Sequence, residues 1–259
     1  MTDGTIDRLY ILHGGYAVQP DRSVYTPGRW QGEQIVLPCH AFLIRRAGEW
    51  ILWDTGTEDA VALDPGGRLM GHGMRGIVVR TVAEQLADIG IAPTDVGRVI
   101  LSHGHFDHIG NAALFAHATW HMQAREHAAM FGPDAEQAGY DREQYACLDP
   151  HGIVRIEGDA DLFGDGSLQV VSTPGHTPGH CSLLLRLPRA GPVLLAADAA
   201  HYAYNLEHRC VPAFNADADA SRASMDRLER VAAETGAQIW LNHDARESAA
   251  RPKAPAFFD

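Results

Sequence analysis

His103-Gly104-His105-Phe106-Asp107-His108 packs four side chains that ligate first-row metals into six residues. At this chain's own frequencies of His and Asp, the spacing His-x-His-x-Asp-His should arise by chance about 0.004 times in a chain this long, so a polar turn with incidental histidines does not account for it. The flanks say where the motif sits. Gly97-Arg98-Val99-Ile100-Leu101 is a short apolar, β-branched run that reads as a buried strand, and Ile109 to Ala116 has helix-forming composition. The ligands therefore fall on a strand-to-helix loop at the end of a sheet, where functional loops usually lie. His103 and His105 are two apart and can point to one side, whereas Asp107 and His108 are adjacent and can serve a second ion.

A catalytic zinc typically has three protein ligands plus water, so four groups cannot complete two coordination spheres. Three other strand ends offer the rest. Leu168 to Ser172 leads into Thr173-Pro174-Gly175-His176-Thr177-Pro178-Gly179-His180, where Pro and Gly force a loop with His176 at its bend. Pro192 to Ala197 ends at Asp198, a carboxylate able to bridge two ions, and Gln238 to Leu241 ends at Asn242-His243-Asp244. A lone His or Asp after a strand is more often structural, so the weight lies in three such ends occurring together with the first motif. His180 reads as structural, and Cys181, at the start of the strand Ser182 to Leu187, as core.

With these residues in place the chain resembles the metallo-β-lactamase superfamily over most of its length. The match runs from Asp54-Thr55-Gly56, after the strand Trp50 to Trp53, through His103 to His108, His176, Asp198 and His243, in the family's order. The resemblance implies an α/β fold, an αββα sandwich of two mixed sheets with helices on the outer faces and metals at one edge. It implies that His103, His105 and His176 hold one divalent ion, that Asp107, His108 and His243 hold the other, and that Asp198 bridges them. In that family Asp54 supports ligands from behind; a strand-ending turn residue is the competing reading. Zinc is the default ion for His and carboxylate donors, with iron, cobalt and manganese as alternatives.

Two ions about 3.5–4 Å apart turn a water between them into a hydroxide nucleophile near neutral pH, polarise a carbonyl and stabilise the oxygen that leaves. That suits an ester, lactone, thioester or amide, and no Gly-x-Ser-x-Gly elbow supplies a rival nucleophile. Within the superfamily the chain is most similar to the N-acyl-homoserine lactonases. The likeness rests on the seven-ligand set, on Gly110-Asn111 after the first motif, on Thr173 to His180 and on His243-Asp244. It implies quorum quenching by opening an acyl lactone, with Asp107 also protonating the leaving alkoxide. One departure matters. Those lactonases commonly place a Tyr three residues after the bridging Asp, where it hydrogen-bonds the substrate carbonyl; this chain has His201 there and Tyr202 beside it. A neutral imidazole can donate the same kind of hydrogen bond, which makes His201 and Tyr202 catalytic candidates with Asp107. A surface histidine is the competing reading of His201.

Other readings stay open at this point: a γ-butyrolactone-type or other ester hydrolase, a glyoxalase II-like thioesterase, and a mononuclear iron sulfur dioxygenase. The thioesterases usually add a C-terminal helical domain, and only 16 residues follow His243. A non-catalytic metal-binding module would not need all seven ligands.

Composition fits one domain over residues 1–259, because no Ser- or Pro-rich linker interrupts the ligands. A net charge of −12 without a basic cluster argues against nucleic acid as a partner. Met1 to Tyr10 has no apolar leader core and no run of about 18 apolar residues exists to span a membrane, so the expected location is the cytoplasm. A homodimer is the family-based expectation. The four cysteines are scattered without a Cys-x-x-Cys pair. Thr81-Val82-Ala83-Glu84 is a capping box opening a helix that Gly90 can close. Asp219 or Ser221 starts another, with Met225, Leu228 and Val231-Ala232 as its apolar stripe and Gly236 at its end, and Asp134 to Ala146 reads as a surface helix. His13 to Glu33 and Thr57 to Arg80 read as long irregular stretches that wall the substrate pocket.

Overall fold

Side-chain alternation along a few strands builds every layer of the molecule. In Glu49–Trp53, Ile51 and Trp53 face one way and Leu52 the other; in Cys181–Leu187, Leu183 and Leu185 oppose Leu184; in Gly191–Leu195, Val193 and Leu195 oppose Leu194. The first set of each meets in a core between two sheets. Leu52 instead packs with Val82, Leu86, Phe115 and Met130 under one outer layer, while Leu184 and Leu194 pack with Met225 and Leu228 under the other. Strands covered on both faces read as continuous apolar runs, which is why they stand out in the sequence. The result is the expected αββα sandwich.

The computed structural model describes residues 5–259. The expectation for Met1 to Tyr10 falls in part on residues 1–4, outside that span. Among the described residues no helix is long and apolar enough to cross a membrane.

The larger sheet is ordered Arg68–Leu69, Arg75–Ile77, Ile6–Gln19, Ile35–Arg46, Glu49–Trp53, Val96–Ile100, Thr119–Gln123, Val154–Ile156, with Phe257–Phe258 also pairing onto Ile6–Gln19. Its last four strands run parallel and the rest antiparallel. The smaller sheet is ordered Gln238–Trp240, Gly191–Leu195, Cys181–Leu187, Leu168–Ser172, Ala160–Asp161, with the first pair parallel. Both sheets are mixed.

Locally encoded features match the sequence reading. Helix Val82–Ile89 carries the Thr81/Glu84 capping box and a left-handed Gly90 C-cap. The long helix Ala218–Thr235 ends at left-handed Gly236, but begins earlier than expected because Asp217 caps it, accepting from the backbone N–H of Asp219 and Ala220.

Five expectations are corrected. Thr57 to Arg80 is not irregular throughout: Arg68–Leu69 and Arg75–Ile77 pair with each other and extend the larger sheet from Ile6–Gln19. His13 to Gln19 is not irregular: the strand from Ile6 continues through a register shift between His13 and Tyr16. Gly15, at φ +106°, supplies the bulge there that a side chain would oppose. The segment after the first motif is not one helix over Ile109 to Ala116, since a short helix already spans Phe106–Ile109 and a 3₁₀ turn follows at Ala112–Phe115. Asp134 to Ala146 is a chain of turns with helix only at Arg142–Tyr145, broken by left-handed Gly139, and Ala135, Tyr140 and Tyr145 are buried. The strand before Asp198 stops at Leu195, and Ala197, at φ +45°, turns the chain sharply so that Asp198 sits in a 3₁₀ turn.

Candidate metal centre

Five strand ends converge on one edge of the sandwich. Glu49–Trp53 delivers Asp54, Val96–Ile100 delivers the 103–108 loop, Leu168–Ser172 delivers His176, Gly191–Leu195 delivers Asp198, and Gln238–Trp240 delivers His243. Four of these imidazoles are then fixed from behind. His176 donates Nδ1–H to Asn215 Oδ1 at 2.9 Å, His243 donates Nδ1–H to the Pro38 carbonyl at 2.8 Å, and His108 donates Nδ1–H to Asp54 Oδ2 at 2.8 Å. His103 Nδ1 lies 3.0 Å from Ser102 Oγ, whose hydroxyl lies 2.8 Å from Asp54 Oδ2. Outer acceptors of this kind select the tautomer whose other nitrogen carries a lone pair, as metal ligation requires.

Those lone pairs meet. His103 Nε2, His105 Nδ1 and His176 Nε2 lie 3.1, 2.9 and 3.1 Å apart pairwise. The edge of a tetrahedral sphere built on Zn–N bonds of ~2.0–2.1 Å is about 3.3 Å, so three nitrogens at this spacing fit one ion. Burial holds the His103 and His176 imidazoles well below the usual range, keeping them neutral. A second group, Asp107, His108 and His243, lies next to it. His243 Nε2 and His108 Nε2 stand 3.6 and 3.8 Å from Asp107 Oδ2, and His108 Nε2 is a buried atom without a hydrogen-bond partner.

Asp198 faces both groups. Its Oδ1 is 2.9 Å from His243 Nε2 and 3.2 Å from His108 Nε2, while its Oδ2 is 3.3 Å from His176 Nε2 and 3.8 Å from His103 Nε2. Burial alone would raise this carboxyl, but the imidazoles of His243, His201 and His108 hold it well below the carboxylate range. The same carboxylates act in reverse on the second group. Burial would lower His108 and His243, yet Asp198 and Asp107 push His108 well above the usual range and His243 up to about 9. Cations placed among these donors would replace those protons, which is how metal binding couples to protonation. Donor chemistry, spacing and the orphaned His108 Nε2 all fit two divalent ions.

His180 is structural, as its sequence context implied. Its Nδ1–H goes to the Thr173 carbonyl and its Nε2 accepts the Asp198 backbone N–H at 3.0 Å, fixing the bridging residue; burial pushes this ring down to about 4. Asp54 is more than a turn residue. At φ +57° it accepts from Ser102 N, Ser102 Oγ and His108 Nδ1, a strained backbone held by a network at the site.

The structure removes the surface reading of His201, which is 2 % exposed. Its Nε2 lies 3.1 Å from Asp198 Oδ2, and its ring lies between Tyr25, His176 and His243. Tyr202 is not brought to the cluster. Its hydroxyl lies 3.5 Å from Arg22 Nε, and its ring packs with Ala17, Leu37 and Met74.

Sequence reasoning missed Glu126 and Asn215. The buried Glu126 carboxylate accepts from Gly104 N, Tyr140 OH, Thr177 Oγ1 and Gly179 N, tying the first ligand loop to the His176 loop. In that second loop Gly175 sits at φ +134°, where a Cβ would come within 2.3 Å of Ser221 N, so only glycine admits the bend that presents His176.

A cavity of about 1140 Å³ opens over the cluster, touching His105, Asp107, His176, Asp198, His201 and His243. The stretch from Thr57 to Arg80 does wall it, through Glu58, Asp59, Arg68, Leu69, Met70 and Met74; from the other long stretch Tyr25 contributes.

Comparison with known proteins meets this geometry. The family model described as the metallo-beta-lactamase superfamily matches residues 35–235. The chain belongs to the metallo-β-lactamase superfamily. Among its relatives in the superfamily is the N-acyl homoserine lactonase AttM of Azorhizobium caulinodans, 33% identical over 97% of this chain and 98% of that one. The N-acyl homoserine lactonase AiiA of Bacillus thuringiensis subsp. kurstaki is 29% identical over 94% and 95%. A solved N-acyl homoserine lactone hydrolase, with the product N-hexanoyl-L-homoserine at its catalytic metal center, superposes with a TM-score of 0.85 at 27% identity, covering 98% of this chain and all of the other.

Proposed function

We propose that this chain is a one-domain, dinuclear-metal lactonase that opens the ring of N-acyl-homoserine lactones. The observation that carries the reading is Asp198, whose two oxygens face two separate donor groups beneath one cavity. Full-length relatives named as N-acyl homoserine lactonases support the substrate class. His103, His105 and His176 would hold one ion, Asp107, His108 and His243 the other, with Asp198 between them. Two divalent ions, zinc by default for these donors, would supply a water that ionises near neutral pH and a Lewis acid for the lactone carbonyl.

The chain's own groups do the rest. Leu69, Met70, Met74, Phe106, Leu114 and Phe214 give the cavity an apolar wall for an acyl chain. Asp107 opens on the same cavity, and its carboxylate would take up the proton left on the attacking oxygen and pass it to the departing alkoxide oxygen. His201 holds Asp198 Oδ2 through Nε2–H and forms part of the floor.

Metal content per chain, measured together with pH-stat hydrolysis of γ-butyrolactone, short- and long-chain N-acyl-homoserine lactones, S-lactoylglutathione and a β-lactam, tests the reading. Two ions per chain with proton release from the acyl-homoserine lactones is expected. One iron per chain with no hydrolysis of any panel member would overturn it in favour of a mononuclear oxygenase.

A further inference from the structure

Cys39 lies in the strand Ile35–Arg46, fully buried, immediately after the residue whose carbonyl orients His243. Its Sγ stands 3.3 Å from Asp107 Oδ2, and Cys39, Asp107 and His243 present donor atoms all within 4.8 Å of one another. In a tetrahedral zinc site with a sulfur bond of ~2.3 Å and an oxygen bond of ~2.0–2.2 Å, the S···O edge is about 3.5 Å. As it stands, this contact is a hydrogen bond from the Cys39 thiol to Asp107, and burial with the Asp107 carboxylate keeps the thiol protonated. Its length is also close to that edge, so an ion could take the place of the proton between the two groups. A second observation borders the same space: His108 Nε2 is wholly buried with no hydrogen bond of good geometry, 3.2 Å from Asp198 Oδ1 and 3.8 Å from the Asp107 Oδ2 that Cys39 touches.

The default role of a buried cysteine is that of a small hydrophobe. Cys181 shows what that looks like in this fold. It is equally buried, but its Sγ faces only the carbonyls of Leu101 and Ser102 at 3.6 and 3.7 Å. Cys39 differs because what it meets is a carboxylate and an imidazole of the metal cluster.

We propose that Cys39 is a thiolate ligand of the second ion, joining Asp107, His108, His243 and the bridging Asp198 rather than replacing any of them; this rests on the two-ion reading above. The two sites then differ in kind, one built from three imidazoles and the other carrying a soft donor. A thiolate favours zinc or cobalt over magnesium or manganese at the second position.

The test is the absorption spectrum of the protein reconstituted with cobalt(II), with metal counted per chain. Two cobalt ions and a near-ultraviolet thiolate-to-cobalt charge-transfer band are expected. The band should vanish in C39A and C39S, and in both the weaker-held ion should be lost to a chelator at least about tenfold more readily, the lower bound for removing even an outer partner of a ligand. Two cobalt ions without the band in the unaltered protein overturn Cys39 ligation and leave the two-ion reading standing, whatever the variants' folding. A band that persists in both variants also overturns it. Fewer than two ions per chain overturns both readings.

Discussion

Glu126 shows at the residue scale how much of a metal centre lies outside its ligands. Four donors from two ligand loops and Tyr140 converge on its carboxylate, and burial still raises it above the usual range. Glu126→Gln keeps the shape but turns one acceptor into an amide that faces Gly179 N–H. The expected cost is about 2 kcal/mol in urea unfolding of the metal-loaded protein, the scale of a hydrogen bond to a charged group, and an unchanged midpoint would show that the strut is idle. His201 belongs to the same scale. Its Nε2 is committed to Asp198 while all seven proposed ligands stand without it, so His201→Ala is expected to lower turnover and keep two ions per chain. Equal turnover would remove His201 from the mechanism. The ligands were legible because four of them crowd into one loop, a density no packing pattern produces. Glu126 and Asn215 carried no such signal. Each is one polar residue in an ordinary helix or turn, and its role exists only once distant segments meet.

Elements divide along the same line. Helix Val82–Ile89 was legible to the residue because a capping box and a C-cap glycine are local chemistry. Asp134 to Ala146 was not, because its apolar residues are buried by turns that pack against the site rather than by one helical face. The strand that carries His13 ran on past its expected end because a two-glycine bulge lets it bend instead of stopping. His13 also gives this element a pH signature. Its backbone N–H donates to Gln85 Oε1 and its carbonyl accepts from Gln85 Nε2, docking the first long helix, while Nδ1 accepts from Gly15 N. Burial, aided by Lys253, pushes the ring down to about 4. The folded state therefore refuses a proton that the unfolded chain accepts from about pH 6.5 downward. Stability from this group is complete above that pH and is lost as pH falls toward 4, by roughly 2–3 kcal/mol. His13→Asn keeps the acceptor for Gly15 and should flatten that part of the stability profile. Parallel profiles for the two proteins between pH 6.5 and 4 would refute the assignment.

At the scale of the whole molecule, the two sheets meet through an apolar core and again through the proposed ligands. His103, His105, Asp107 and His108 follow a strand of the larger sheet, whereas His176, Asp198 and His243 follow strands of the smaller one. Each proposed ion thus draws donors from both sheets, and no stretch of chain contains a complete set. Sequence order could name the donors but not this division between layers, because strand pairing is set by the alternation and register of residues far apart in the chain. Ions that bind only the folded arrangement stabilise it by mass action, about 2.7 kcal/mol for each at one hundred times its dissociation constant. For a chain of this size, two such ions should raise the unfolding temperature by roughly 10 °C or more over the stripped protein. Calorimetry before and after chelation, followed by zinc readdition, measures the difference. His243→Ala, which removes a donor of the smaller sheet, should shrink it. An unfolding temperature indifferent to chelation would mean that the folded chain holds no ion tightly at the concentrations used, which would count against the two-ion reading.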